Sequence, residues 1–300
     1  MSVSRGSQGE WGNRLGLAAV ALAVLALAAC STETRPYEGA APPDKDDVGP
    51  PAIDHATMVL VAGGTFEMGH PVEPAGPYGN PWKANELPPH PVTLSEYWID
   101  TDEVTGEQFA LFLSYAAGEK HYDPLSPIER VGEIDYQAMA GHQQRPASYV
   151  SWLAAVEYCE WVGKLLPTEA QWERAAKGTE QQRFPWGEDG ATCQLANYYT
   201  GSTWCVGESG DVGSYSPDGD SPDGVHDLAG NVAEWTADGY GPYGADPVTD
   251  PLGPEPSWEG VVVRGGGYNE AAASLRTTAR WAADPTDSSP GIGFRCVALP

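Results

Sequence analysis

The spacing of apolar residues divides this chain before any composition is counted. An unbroken apolar run from Leu15 to Ala29, mostly Ala and Leu, follows Arg5 and Arg14. A membrane-spanning helix needs about 20 such residues, so the run has the length of a signal-peptide core over residues 1–29. It ends Leu27-Ala28-Ala29-Cys30, small side chains ahead of a cysteine, which predicts cleavage there and lipid on the Cys30 thiol. Residues 30–57 hold Pro, Gly and charged side chains with little to bury, and read as a disordered tether. From Met58 the apolar content rises and stays high, predicting one folded domain over residues 58–300.

Inside that domain, residues 58–62, 92–99, 261–264 and 292–298 read as strands. Val104, Phe109, Phe112 and Leu113 fall on one side of a helix predicted over residues 103–117. Trp152, Val156, Cys159 and Val162 do the same for residues 151–164, with Ser151 as the cap. Thr168-Glu169-Ala170-Gln171 is a capping box, so another helix starts there and stops near Gly178. Between Gly178 and Gly260 periodicity fades into what reads as long ordered loops. The expected class is α+β with much irregular structure.

Charge narrows the partners. The formal net charge is −26, which repels nucleic acid and anionic headgroups. Nucleic acid is therefore excluded, and contact with a membrane is expected through the N-terminal lipid, in the cell envelope. With Cys30 lipidated, Cys159, Cys193, Cys205 and Cys296 remain, an even set in an oxidising compartment. Three pairings are open. Cys193 and Cys205 flank a Gly-, Thr- and Tyr-rich stretch suited to local closure, which would leave Cys159 with Cys296.

An ordered series of motifs runs through the domain. It begins Gly63-Gly64-Thr65-Phe66-Glu67-Met68-Gly69, then Pro89-His90-Pro91-Val92 and Glu103-Val104-Thr105. Leu166-Pro167-Thr168-Glu169-Ala170-Gln171-Trp172-Glu173 follows, then Phe184-Pro185-Trp186-Gly187. Gly230-Asn231-Val232-Ala233-Glu234-Trp235, Arg264-Gly265-Gly266-Gly267 and Gly293-Phe294-Arg295-Cys296 close it. Over residues 58–298 this order resembles the formylglycine-generating enzymes, also called sulfatase-modifying factors. The resemblance implies an elaborated C-type-lectin-like fold and a Cys159–Cys296 disulfide. A second disulfide of such enzymes would fall near Ala175 or Ala176 and Thr277, where this chain has no cysteine.

The resemblance also implies a copper site of two thiolates shortly after Arg264-Gly265-Gly266, to oxidise a sulfatase cysteine. Here that stretch is Tyr268 to Arg276, without Cys, His or Met, and Glu270 and Leu275 stand near the thiolate positions. Cu(I) is soft and wants sulfur, so copper is not expected. The histidines are scattered, with no close ligand pair. Calcium is expected instead. Asp227, Gly230, Val232 and Glu234 offer two carboxylates and two carbonyls on one turn, the oxygen set of a hard cation. The resemblance implies a structural calcium at these positions and a second at Asn197 and the Tyr198 carbonyl. Tyr268, Asn269, Glu270, Ser274 and Trp281 could line a groove for a small molecule, glycan or peptide. Arg280 and Arg295 are expected to pair with buried carboxylates such as Glu169 or Glu234, and Trp152, Trp172, Trp186 and Trp235 to lie in the core. The expected role is a non-catalytic, lipid-anchored binding or scaffolding domain. The competing role is a metal-dependent oxidoreductase of other chemistry.

Overall fold

The computed structural model describes residues 53–70 and 84–300, except Trp258. The signal run, Cys30 and most of the expected tether lie outside the described residues. The chain divides into Met1–Pro42 and Pro43–Pro300, and every described residue belongs to the second unit.

In chain order the strands are β1 (Met58–Val61), β2 (Gly64–Met68), β3 (His90–Leu94), β4 (Tyr97–Asp100), β5 (Ile128–Arg130) and β6 (Tyr136–Ala138). They continue as β7 (Ala233–Gly239), β8 (Val248–Thr249), β9 (Val261–Arg264), β10 (Arg280–Ala283), β11 (Ile292–Gly293) and β12 (Val297–Ala298). The α-helices are α1 (Gly106–Phe112), α2 (Trp152–Trp161) and α3 (Glu169–Lys177). The sheets run β10-β9-β7-β11, β1-β4-β12, β2-β3-β8 and β5-β6. The fold is α+β, rich in short strands and loops.

Local chemistry sets the helix ends. Thr168 accepts from the Gln171 amide and Gln171 reaches back to the Thr168 amide, while Gly178, at φ 69°, stops α3. Such an exit favours glycine, which lacks the Cβ that penalises positive φ. Thr105 and Gln108 form the same reciprocal cap on α1. That helix is shorter than expected: it starts at Gly106, and residues 113–117 widen into a π-type turn. Ser151 caps α2 through the Ala154 amide.

Several expectations need correction. The run at 92–99 is two strands in different sheets, broken at Ser95, whose amide and hydroxyl bind the Asp250 carboxylate. Residues 292–298 likewise split into β11 and β12, again in different sheets. The loop expected between Gly178 and Gly260 contains β7 and β8. β7 was hidden because six of its seven residues are buried, polar Glu234, Thr236 and Asp238 included, so no apolar alternation marks it. Just ahead of β1, His55 stacks on Trp98 at 4.6 Å, while residues 53–57 are all exposed.

β9, Val-Val-Val-Arg, is buried along its whole length. Each fully buried valine contributes about 1.5–3 kcal/mol by leaving water. Val261 and Val263 join Trp235, Phe109, Phe112, Phe294 and the buried residues of α2 in the main core. A second core holds Trp172, Ala175 and Ala176 of α3 with Tyr97, Ile99, Phe66 and Val92. Cys159 bonds Cys296, joining α2 to the segment before β12, and Cys193 bonds Cys205.

Candidate functional site

Arginines enter this acidic interior opposite carboxylates, Arg174 against Asp223 at 2.6 Å among them. Arg280 is held by both Glu169 oxygens, at 2.6 and 2.8 Å, and lies over the Tyr243 ring at 4.2 Å. Arg264 pairs with Glu173, donates to the Ala279 carbonyl at 2.7 Å, and covers Trp172. Glu173 also takes Lys177 at 2.7 Å and the Gly69 amide at 2.8 Å. Arg276 chelates Glu86 at 2.5 and 2.7 Å. Arg295 grips Glu234 at 2.7–3.0 Å and donates to the Asp100, Thr101 and His226 carbonyls. The pairings expected for Arg280 and Arg295 are those the structure makes. A buried charge needs such partners, since leaving water costs several kcal/mol per ion.

This frame fixes the glycine turn after β9. A Cβ on Gly266, at φ 71°, would meet the Ser274 backbone at 3.0 Å. A Cβ on Gly291 would lie 2.6 Å from Asn269 Oδ1, so the Asn269 amide seats against bare backbone there. The Tyr268 amide donates to the Asn231 carbonyl at 2.9 Å. The groove residues therefore hang from the turn that carries the expected calcium ligands. Asn269 is exposed, and Tyr268, Glu270 and Ser274 are half-buried. Trp281 sits on β10 and packs against the main core. Burial raises the Tyr268 phenol pKa, and Tyr149 and Glu208 add to it. Tyr149 and the Arg145–Glu208 ion pair, 2.7 Å, thus belong to the same surface. Sequence reading missed them: Tyr149 is at φ 58°, a backbone state that no local signal announces.

A family model described as the sulfatase-modifying factor enzyme 1-like domain matches residues 45–299. The chain belongs to this family. The serine/threonine-protein kinase pkn1 of Chlamydia pneumoniae is 35% identical over 252 residues, covering 80% of this chain but 37% of that protein. The chain thus spans well under half the length of that curated relative. The formylglycine-generating enzyme of Thermomonospora curvata is 32% identical over 292 residues, covering 81% of this chain and 93% of the enzyme. The solved structure of PvdO from Pseudomonas aeruginosa superposes with a TM-score of 0.63 at 28% identity, covering 81% of this chain and 94% of PvdO.

For a sulfatase-modifying factor domain, the whereabouts of sulfur matter most. The four described cysteines are all in disulfides. Leu275 is fully buried, packed with Phe184, Ala196, Tyr198 and Ala229. Glu270 is half-buried, and its carbonyl accepts from the Tyr199 amide at 2.8 Å. These donors do not fit a two-thiolate copper site.

The oxygen donors fit a hard cation in part. Asp227 at φ 54°, Gly230 at 89° and Asn231 at 59° make a tight left-handed turn. Asp227 Oδ2 accepts from the Gly213 amide at 2.6 Å, and burial pushes this carboxyl up to about 6. Both Glu234 oxygens face Arg295, and one also takes Trp172 Nε1 at 2.8 Å. At the second expected position, Asn197 Oδ1 is buried without a hydrogen-bond partner, while the Tyr198 carbonyl takes the Cys205 amide at 3.0 Å. Among the described residues, no cluster of three or more His, Cys, Asp or Glu is placed to hold a metal. A cation here needs amide or carbonyl oxygens beside carboxylates.

Proposed function

We propose that this is a lipid-anchored envelope protein whose sulfatase-modifying-factor domain binds a ligand instead of oxidising one. Supporting this above all is the commitment of every described cysteine to a disulfide, with Glu270 and a buried Leu275 near the thiolate positions. Cu(I) and oxygen chemistry of the formylglycine-generating kind needs free sulfur donors, and a hydrocarbon in a packed cluster cannot supply them. The binding surface is the shelf of Tyr268, Asn269, Glu270 and Ser274, with Tyr149 and the Arg145–Glu208 pair beside it. Its aromatic hydroxyls and amide suit a small molecule, glycan or extended peptide. Lipid on Cys30 holds the domain at the membrane, and calcium steadies the Asp227 turn.

The purified domain, incubated with Cu(I), oxygen and a peptide carrying a sulfatase-type cysteine, should retain the thiol and consume no oxygen. Conversion of that cysteine to an aldehyde with bound copper would refute the reading.

A further inference from the structure

Trp152, Val156 and Glu160 stand four residues apart on α2, so they share one stripe of that helix. Trp152 and Val156 are half-buried and Glu160 is exposed. All three line a cavity of about 520 Å³, together with Leu94, Leu165, Leu166 and Val297. The indole N–H of Trp152 is committed to the Thr236 carbonyl at 2.9 Å, which leaves its ring as an apolar surface. One wall is pinned in place, since the Asp250 carboxylate takes the Ser95 amide at 2.7 Å and its hydroxyl at 2.8 Å. Leu252, 82% exposed, lines the cavity just beyond that clasp. Tyr268, Asn269, Glu270 and Ser274 are not among the lining residues.

The charges around this cavity are of one sign. Glu96, Glu160 and Asp250 line it, and among the described residues no Lys, Arg or His does. Asp250 is occupied by Ser95, whereas Glu96 and Glu160 are exposed and have no ion-pair partner among the described residues. Glu160 also stands where a helix least favours a carboxylate. The last turn of α2 carries the negative end of the helix dipole, and it holds no basic residue. Glu157 is balanced by Lys120 and His121, and Lys164, just past the helix, is spent on Asp100. Glu160 is left uncompensated there, which works against the helix until a cation meets it.

We propose that this cavity binds a small organic cation with an apolar body, an alkyl- or arylammonium. Its ammonium meets Glu160 and Glu96, while its body packs on Trp152, Val156, Leu166 and Val297. The volume lies inside the range of small-molecule sites, roughly 300–1,000 Å³. A neutral apolar ligand would use the same walls but leave both carboxylates unanswered, and an anion would be repelled by them. Trp152 adds the attraction of an aromatic face for a cation. Occupancy here needs neither the Tyr268–Ser274 shelf nor calcium.

The probe is phenylbutylammonium, with phenylbutanol and phenylbutyrate as its neutral and anionic counterparts, titrated by calorimetry into the purified protein at low salt. The ammonium should bind saturably, the alcohol about tenfold more weakly, and the carboxylate not at all. Glu96→Gln and Glu160→Gln alter exposed side chains. Each should weaken the ammonium about threefold, and the two together about tenfold, on the scale of exposed charge pairs. Neither should change binding of the alcohol by more than about twofold. Methyl resonances of Leu94, Val156 and Leu166 should shift on binding, while that of Leu275, in a separate buried cluster, should stay. The alcohol comparison and the methyl shifts use the wild-type protein, so they decide even if a variant fails to fold. No saturable binding, an alcohol that binds as tightly as the ammonium, a folded double variant within twofold of wild type, or shifts confined to other methyl groups would overturn the cation site.

Discussion

Arg295→Met keeps the length of the side chain and takes away the guanidinium that faces Glu234. Two losses follow. Glu234 would remain 1% exposed, with Trp172 Nε1 its remaining side-chain donor at 2.8 Å. Removing one partner of a buried pair costs about 3–5 kcal/mol. The Asp100, Thr101 and His226 carbonyls also lose a donor, at about 1 kcal/mol or more each. The sum, about 6–8 kcal/mol, rivals the whole stability of an ordinary domain, about 5–15 kcal/mol. The companion variant Glu234→Gln/Arg295→Met removes the stranded charge while sparing the acceptor for Trp172, and should regain about 3 kcal/mol or more. Urea unfolding followed by tryptophan fluorescence, in chelator to exclude bound cations, reads both. A single variant costing under about 1 kcal/mol, or a double variant no better than the single, would refute the claim that this pair is a buried electrostatic unit.

Other outcomes follow from the same structure. Chain entropy makes the Cys159–Cys296 bridge, 137 residues apart, worth about 5 kcal/mol. The Cys193–Cys205 bridge, 12 apart, should be worth about 3 kcal/mol; paired alanine replacements measured by denaturant unfolding should keep that order. Burial, with Glu169 nearby, pushes the Asp238 carboxyl from 3.8 to about 7. Its folded form therefore holds a proton that the unfolded chain releases, so its contribution is full below pH 3.8 and lost as pH rises towards 7. Asp238→Asn should gain on wild type with rising pH across that window, at up to about 1.4 kcal/mol per unit; a pH-independent difference in thermal scans would count against the shift. Gly230→Ala puts a Cβ 2.4 Å from the Asn197 carbonyl at φ 89° and should cost more than about 1 kcal/mol, an unchanged melting point being the contrary result. Cys30→Ala should move the protein from the membrane fraction to the soluble one, and unchanged fractionation would remove the anchor.

Features fixed by neighbouring residues were legible in the chain. The caps at Ser151 and Thr168 and the stop at Gly178 depend on contacts within a turn or two, so their residues announce them. The ordered motifs placed the chain in its family for the same reason, being short and local. The buried face of α2 did not follow the expected one, since Ala154, Ala155, Tyr158 and Cys159 are buried while Trp152 and Val156 are half-buried. Partnership across the fold was another matter. The run at 92–99 has one apolar pattern but serves two sheets, because its partners arrive from β2 and β8 on one side and β1 and β12 on the other. β7 escaped notice because burial on both faces erases alternation, and its polar residues are satisfied by distant groups such as the Arg295 guanidinium. The sequence listed Asp227 and Glu234 as equal candidates for a cation. Only the tertiary structure gave Glu234 to an arginine 61 residues away and brought the Glu103 carboxylate to the Asn231 side chain. A carboxylate's role depends on which charge reaches it first, and that is a property of the packed interior.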